Sequence, residues 1–352
     1  MKQFHYRRGV VWRTRLSFVL SLLFVFLQSC ILQHYYFQNQ LVNAVGIDEP
    51  YLNKLVADRK VETIKKRVLF MGDTMLARGV GEAIEAGDDP YKYVRGILDA
   101  HDLRIANIET TIADPSFTLA AQKPYTFNAP LKSLELLKNV GIDVAVIANN
   151  HTGDFGHDAM INMLDQYRQA QIKTAGLAQT IDDAFKATIT TIDGLSIATI
   201  AVNDVELAHT KVTDTLPGTA YLDKDRLSKS IQNARAAGAD FVVVIPHWGT
   251  EYSLQQNDYQ RQWGQFMIDA GADVVIGGHP HVTQPTETYK NGSIVYSLGN
   301  FIFDGMEGDA LKGQMISIEI EKTISRNESK TTLKSLQSVG ILIDAQGFPH
   351  PL

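Results

Sequence analysis

Five apolar runs in this chain each lead to side chains that can hold a metal ion or move a proton. Residues 68–71 lead into Gly72-Asp73, residues 103–106 into Asn107-Ile108-Glu109, and residues 144–148 into Asn149-Asn150-His151. Residues 241–245 lead into Pro246-His247, and residues 274–276 into Gly277-Gly278-His279-Pro280-His281. Ligands of open α/β sheets bind outside the carboxyl ends of the strands. If these runs are neighbouring strands, one crevice collects two carboxylates, an amide and four imidazoles. Such a mixture of oxygen and nitrogen donors suits Mn, Fe or Zn better than calcium or copper.

Each residue alone has a plainer reading. Asp73 fits a turn or helix cap, Glu109 a solvated strand end, Asn150 a turn and His247 a satisfied loop histidine. His279 and His281 are more pointed, because two imidazoles one residue apart in a glycine-flanked turn face one ion or two adjacent ions. The set outweighs its members, since every run ends the same way. Trp248, Glu251 and Tyr252 follow His247 directly. An acid four positions after a ligand orients it, binds substrate or is merely solvated. Asn300, in Gly299-Asn300-Phe301, is either a turn residue or part of the crevice wall. Residues 123–130, bounded by prolines, form a lid or only a connection.

The elements that must position these groups alternate in type. Short β-branched apolar runs separated by helical patterns near 79–86, 91–99, 130–140, 156–170, 223–237 and 256–270 predict an α/β fold with buried, largely parallel strands. Asp154 and Asp223 are expected helix N-caps, and Gly141, Gly238 and Gly271 expected stops. Residues 189–192 and 196–202, joined by Asp193-Gly194, predict a hairpin. Residues 294–297, 314–320 and 333–343 predict later strands. No repeat or Pro/Gly-rich linker follows residue 68, so one domain is expected there.

The 352 residues carry 33 bases and 39 acids, a formal charge of −6. No basic excess favours nucleic acid. One cysteine, Cys30, excludes an intrachain disulfide. Lys2, Arg7, Arg8, Arg13 and Arg15 precede an uncharged stretch that runs from residue 16 to 47. Residues 16–36 are apolar over about the ~20 residues a membrane span needs, with Tyr35, Tyr36 and Phe37 at its far end. The expected organisation is a cytoplasmic basic segment 1–15, a transmembrane signal-anchor 16–36, a stalk 37–66 and a domain 67–352 outside the cytoplasm. A cleaved signal peptide and a lipoprotein at Cys30 are the alternatives.

Six motifs in order carry a resemblance: Gly72-Asp73-Thr74-Met75-Leu76, Asn107-Ile108-Glu109, Ala148-Asn149-Asn150-His151, Pro246-His247-Trp248-Gly249-Thr250-Glu251-Tyr252, Gly278-His279-Pro280-His281 and Tyr296-Ser297-Leu298-Gly299-Asn300-Phe301. Over residues 67–305 the chain resembles the CapA family of poly-γ-glutamate capsule synthesis proteins, within the calcineurin-like metallophosphoesterase superfamily. The resemblance implies a four-layer α/β/β/α sandwich with a divalent metal centre at the strand ends. It implies Asp73, Glu109, Asn150, His247, His279 and His281 as ligands, Glu109 bridging, and His151 as an acid or substrate contact. Trp248, Glu251 and Asn300 would then contact substrate or orient ligands.

The superfamily's first motif is Asp-x-His, and Met75 stands where its histidine would be. Met75 either faces the site without a useful donor, which implies one tight ion and a weaker second position, or packs into the core with the second position never occupied. Two functions follow from the resemblance. One is a metal-dependent hydrolase or transferase acting on a phosphoester or a γ-glutamyl bond. The other is a non-catalytic polymer-binding subunit of a membrane capsule-synthesis and export complex. Expected partners are the cell membrane, membrane proteins of that complex, and an anionic polymer or phosphoester.

Overall fold

Residues 61–325 and 328–352 are described by a computed structural model. The expected anchor at 16–36 and the stalk up to residue 60 lie outside the described residues. Among the described residues, no helix is long and apolar enough to cross a membrane. Residues 62–324 and 328–352 form one compact unit.

The strands of that unit are β1 (Glu62–Thr74), β2 (Leu103–Ile108), β3 (Val144–Val146), β4 (Lys173–Ala175), β5 (Leu177–Ala178), β6 (Thr188–Ile192), β7 (Leu195–Asn203), β8 (Gly218–Thr219), β9 (Phe241–His247), β10 (Val274–Ile276), β11 (Thr283–Tyr289), β12 (Gly292–Leu298), β13 (Asn300–Ile302), β14 (Lys312–Ile324), β15 (Ser329–Ile343) and β16 (Pro349–Pro351). One sheet has the order β16-β15-β14-β1-β2-β3-β4, with β13 also on β1. In it β1 to β4 run parallel. The other has the order β11-β12-β10-β9-β7-β6, with β12, β10, β9 and β7 parallel. A small β5-β8 pair completes a mixed α/β fold.

Side chains alternate across a strand with a period of two, and this divides the apolar residues among three clusters. Val68 and Phe70 of β1, Leu103 and Ile105 of β2, and Phe241, Val243 and Ile245 of β9 meet in the cluster shared by both sheets. Leu69 and Met71 instead face Val80, Ile84, Leu134, Leu137, Met160 and Met163 on the helices Arg78–Ala86, Lys132–Asn139 and Gly156–Ala170. Val242 and Val244 face Leu227, Ile231 and Met267 on the helices Lys224–Ala236 and Asp258–Asp269. Runs apolar at every position are therefore strands buried on both faces.

Two expectations need adjusting, and two strands were not expected. The domain starts in β1 at Glu62, not at residue 67, because the charge-mixed residues read as stalk pair with β14 from Glu62 to Phe70. Their charges are matched across the surface, with Lys65 3.2 Å from Glu321 and Lys66 2.7 Å from Asp193. Asp223 caps its helix by accepting the Arg226 N–H, but Asp154 does not cap the helix Gly156–Ala170, which begins after Phe155 without a side-chain cap. β11 has no apolar signature because it is an edge strand, where Pro285 and polar residues are tolerated. β13 is only three residues long. The hairpin β6-β7 forms as expected, with Asp193 and Gly194 both at positive φ.

The register of β1 shifts between Met71 and Asp73 against β2, and again between Asp73 and Thr74 against β13. Bulges of this kind re-aim a side chain at the end of a strand. Gly72 sits within the shift, and a Cβ there would overlap the Gly299 carbonyl oxygen and press on Leu298. Gly72→Ala is therefore expected to destabilise the domain by at least ~2 kcal/mol. The urea unfolding midpoint measures this, and an unchanged midpoint would show that the backbone there gives way freely.

Candidate metal centre

The carboxyl ends of β1, β2 and β3 in one sheet meet those of β9 and β10 in the other. Asp73 ends β1 beside Asn300 of β13 and Asn107 of β2. Glu109 follows β2, with its N–H on the Thr74 carbonyl at 2.9 Å. Asn150 and His151 follow β3, His247 ends β9, and a bridge joins His247 to Gly278 after β10. A side chain at Gly278 would stand 2.7 Å from Asp73 Oδ1, so glycine is what lets this turn approach the first strand.

Seven sequence-nominated side chains are buried here: Asp73, Glu109, Asn150, His151, His247, His279 and His281. Their donor atoms form two overlapping sets that share Glu109. Glu109, His247 and His279 lie within ligand reach of one another, as do Asp73, Glu109 and His281. His247 Nε2 lies 2.9 Å from Asn150 Oδ1 and 3.3 Å from Glu109 Oε1, which adds the amide to the first set. His281 Nδ1 donates to Asn300 Oδ1 at 2.9 Å and lies 3.5 Å from Asp73 Oδ2.

The fit of this set to a cation is tested by what its atoms lack. Glu109 has no exposed surface, and neither of its carboxylate oxygens accepts a hydrogen bond; His279 Nδ1 is likewise buried without a partner. Burying an ionised carboxylate without donors is costly, and a divalent ion between Glu109 and the imidazoles satisfies all these atoms at once. The residues therefore fit a divalent metal.

Charge is divided unevenly among the imidazoles. Burial, reinforced by the neighbouring His247, His281 and His151, holds His279 well below the ordinary histidine range, so its ring is a neutral donor. Burial opposes a charge on His281 too, but Glu109 and Asp73 outweigh it and push His281 up to about 9. Burial likewise acts to raise Asp73, yet its contacts with His281, the charge of His247 and the Asn107 amide leave its pKa below the usual carboxylate value. His279 and His281 also hold left-handed backbone, at φ 95° and 57°. Non-glycine residues rarely do so, at a cost of order 1–3 kcal/mol each.

The remaining nominated residues have distinct places. Glu251 is exposed at the rim, within ligand reach of His279 and His281. Trp248 has no exposed surface: its indole N–H donates to the Tyr296 carbonyl at 2.9 Å and its backbone N–H to the Gly278 carbonyl at 3.1 Å. It therefore supports the histidine turn from within the core. Met75 packs in the outer apolar cluster, its sulphur 3.1 Å from the Ala77 N–H; of the two outcomes open to it, core packing is the one observed.

Residues that were not nominated complete the arrangement. Asn107 Nδ2 donates to Asp73 Oδ1 at 2.7 Å and lies 3.2 Å from His247 Nδ1. Asn149 Nδ2 donates to Asn107 Oδ1 at 3.2 Å. Asp154 accepts from His151 Nδ1 at 2.8 Å, while Phe127 packs on the His151 ring at 4.2 Å. Asn107 stands two residues before Glu109, and Asp154 three after His151; that spacing is the one signal the sequence offered for them.

The raised His281 value gives a pH test with a definite sign. In the metal-free protein its protonation contributes stability that is complete below about pH 6.5 and lost as pH rises through about 9. A cation held by Asp73, Glu109 and His281 must displace that proton. The unfolding midpoint of chelator-treated protein is thus expected to fall over this interval, while Mn²⁺ affinity rises by up to about tenfold per pH unit. Flat profiles in both measurements would remove His281 from the ligands.

The family model described as "Bacterial capsule synthesis protein PGA_cap" matches residues 67–305. The chain is 35% identical over 251 residues to the PGA biosynthesis protein CapA of Bacillus subtilis, covering 70% of this chain and 66% of that one. It is 31% identical over 250 residues to the capsule biosynthesis protein CapA of Bacillus anthracis, covering 69% and 61%. The matches thus span a little under two thirds of either relative. Among solved structures, a calcineurin-like phosphoesterase of Bacillus subtilis is similar with a TM-score of 0.49 and 11% identity, over 79% of this chain and 91% of that one. On the strength of the matched residues 67–305, the chain belongs to the bacterial capsule synthesis protein family PGA_cap.

Proposed function

We propose that this protein is a membrane-anchored, extracytoplasmic hydrolase of capsule biosynthesis. Its domain is read as a four-layer α/β/β/α sandwich of the metallophosphoesterase type, acting on an anionic polymer of the poly-γ-glutamate kind or on a phosphoester. The observation that carries the reading is Glu109, a buried carboxylate with both oxygens unpartnered among three imidazoles and Asp73. The names of the two Bacillus relatives support the link to capsule polymer, and the five bases before residues 16–36 support the anchor.

In this reading Glu109, His247, His279 and Asn150 hold one ion, of Mn, Fe or Zn, tightly. Asp73, Glu109 and His281 offer only three donors to a second, since Met75 packs in the core and supplies none. When bound, the metal supplies Lewis acidity to water and to the attacked bond. The chain's own groups do the rest. Asn107 fixes the Asp73 carboxylate, and Asn300 fixes the His281 ring. Asp154 anchors His151 through Nδ1, which leaves Nε2 free to give a proton to the leaving group. A non-catalytic polymer-binding subunit would need the metal residues but not this held imidazole.

Two experiments test the proposal. His279→Ala is expected to lower metal content, whereas His151→Ala should keep its metal and lose ~10²–10⁴-fold in turnover on phosphodiesters or poly-γ-glutamate. Wild-type protein that binds metal but cleaves neither substrate would turn the reading to the polymer-binding subunit. Protease added to intact spheroplasts should digest the domain; full protection would overturn the extracytoplasmic placement.

A further inference from the structure

Lys123 lies in the proline-bounded loop that the sequence left as a lid or a connection. Its side chain is only 7% exposed, and its ammonium meets three oxygens. These are the Asn150 carbonyl at 2.8 Å, Asp154 Oδ1 at 2.6 Å and Glu206 Oε2 at 2.7 Å. Two of these are hydrogen bonds, to Asn150 and Glu206, and the contact with Asp154 is a buried ion pair. Two of the three acceptors flank His151. Asn150 precedes it in the chain, and Asp154 holds its ring.

Asp154 is used on both oxygens. Oδ2 accepts from His151 Nδ1 at 2.8 Å and from the Phe127 N–H at 2.7 Å, and Oδ1 faces Lys123. The same loop donates the Ala121 N–H to the Asp154 carbonyl at 2.7 Å and lays Phe127 against the imidazole. Without the lysine, the fully buried Asp154 carboxylate would keep the N–H groups of His151 and Phe127, both on Oδ2, and Oδ1 would face no counter-charge.

We infer that Lys123 is a positioning residue, which locks the Asp154 carboxylate and the Asn150 carbonyl so that the His151 imidazole points Nε2 at the candidate metal centre. The inference rests on the reading of His151 as the proton donor, but its physical content is the geometry of the His151–Asp154 pair. Glu206 then holds the lysine from the solvent side.

Three variants of the full-length protein test this: Lys123→Met, Lys123→Arg and Glu206→Gln. The first readout needs no activity. It is the low-field proton resonance of an imidazole N–H held by a carboxylate, assigned by its loss in Asp154→Asn. The expected result is that Lys123→Met loses or displaces this signal while metal content stays at wild type, and that Lys123→Arg restores it. Glu206→Gln should shift it in the same direction by less, which keeps the test open if Lys123→Met does not fold. An unchanged signal in the folded variants would overturn the inference.

The second readout is leaving-group dependence, because a misplaced acid matters only where the leaving group needs a proton. Lys123→Met should lose at least about tenfold on alkyl phosphodiesters and little on nitrophenyl ones. Equal losses on both would mean that the lysine merely supports the fold. If wild-type protein cleaves nothing, the hydrolase reading fails, and the resonance still decides what Lys123 does to the pair.

Discussion

A buried carboxylate without hydrogen-bond donors from the protein is the constraint around which this domain is organised. Glu109 is fully buried, and its oxygens find no N–H or O–H. Left alone, such a group would cost several kcal/mol or give up its charge. The protein answers with four imidazoles from two sheets. In the metal-free state His281 carries the compensating proton, while His279 stays neutral beside it. The cluster is thus poised between two counter-charges, a proton on one ring or a cation shared by several.

The fold serves this constraint by bringing parallel strand ends from two sheets to one seam. β1, β2 and β3 deliver the carboxylates, the amide and His151, and β9 and β10 deliver the other three histidines. The two donor sets that share Glu109 each draw on both sheets, so the inner apolar cluster that holds the sheets together also holds these sets together. Phe70, Ile105, Val243 and Ile276 pack in the cluster between the two sheets that carry Glu109 and His247. A large-to-small change there, typically costing 2–5 kcal/mol, disturbs both.

Much of this was legible in the sequence because it is periodic or punctuated. Runs such as 241–245, apolar at every position, announce strands buried on both faces, and residues at their ends fall in one crevice by topology. Five of the six helices with a 3.6-residue pattern appear within two residues of where it places them, while of 91–99 only Arg95–Asp99 is helical. What was not legible depends on partners distant in the chain. Lys123 looks like any loop lysine until Asp154 and Glu206 are brought to it. Asp154 looks like a helix cap because composition cannot show that His151 and the Phe127 N–H share its Oδ2. The start of β1 reads as a stalk because its charges are matched only across the folded surface. Trp248 beside His247 resembles a substrate contact, and only burial shows that it props the next turn.

The left-handed backbone at His279 and His281 bears on how this protein would respond to selection. The turn is a local weak point that the surrounding contacts hold in place. At 279, where the ring is neutral and Nδ1 has no partner, glycine would relieve the backbone while deleting a donor. At 281 the same change would also remove the counter-charge of Glu109 and the bond to Asn300, which offsets the relief. Screens for heat tolerance or expression would therefore enrich changes at 279 before 281 unless metal uptake is scored alongside. In a lineage released from the need for the site, His279 is where drift would begin.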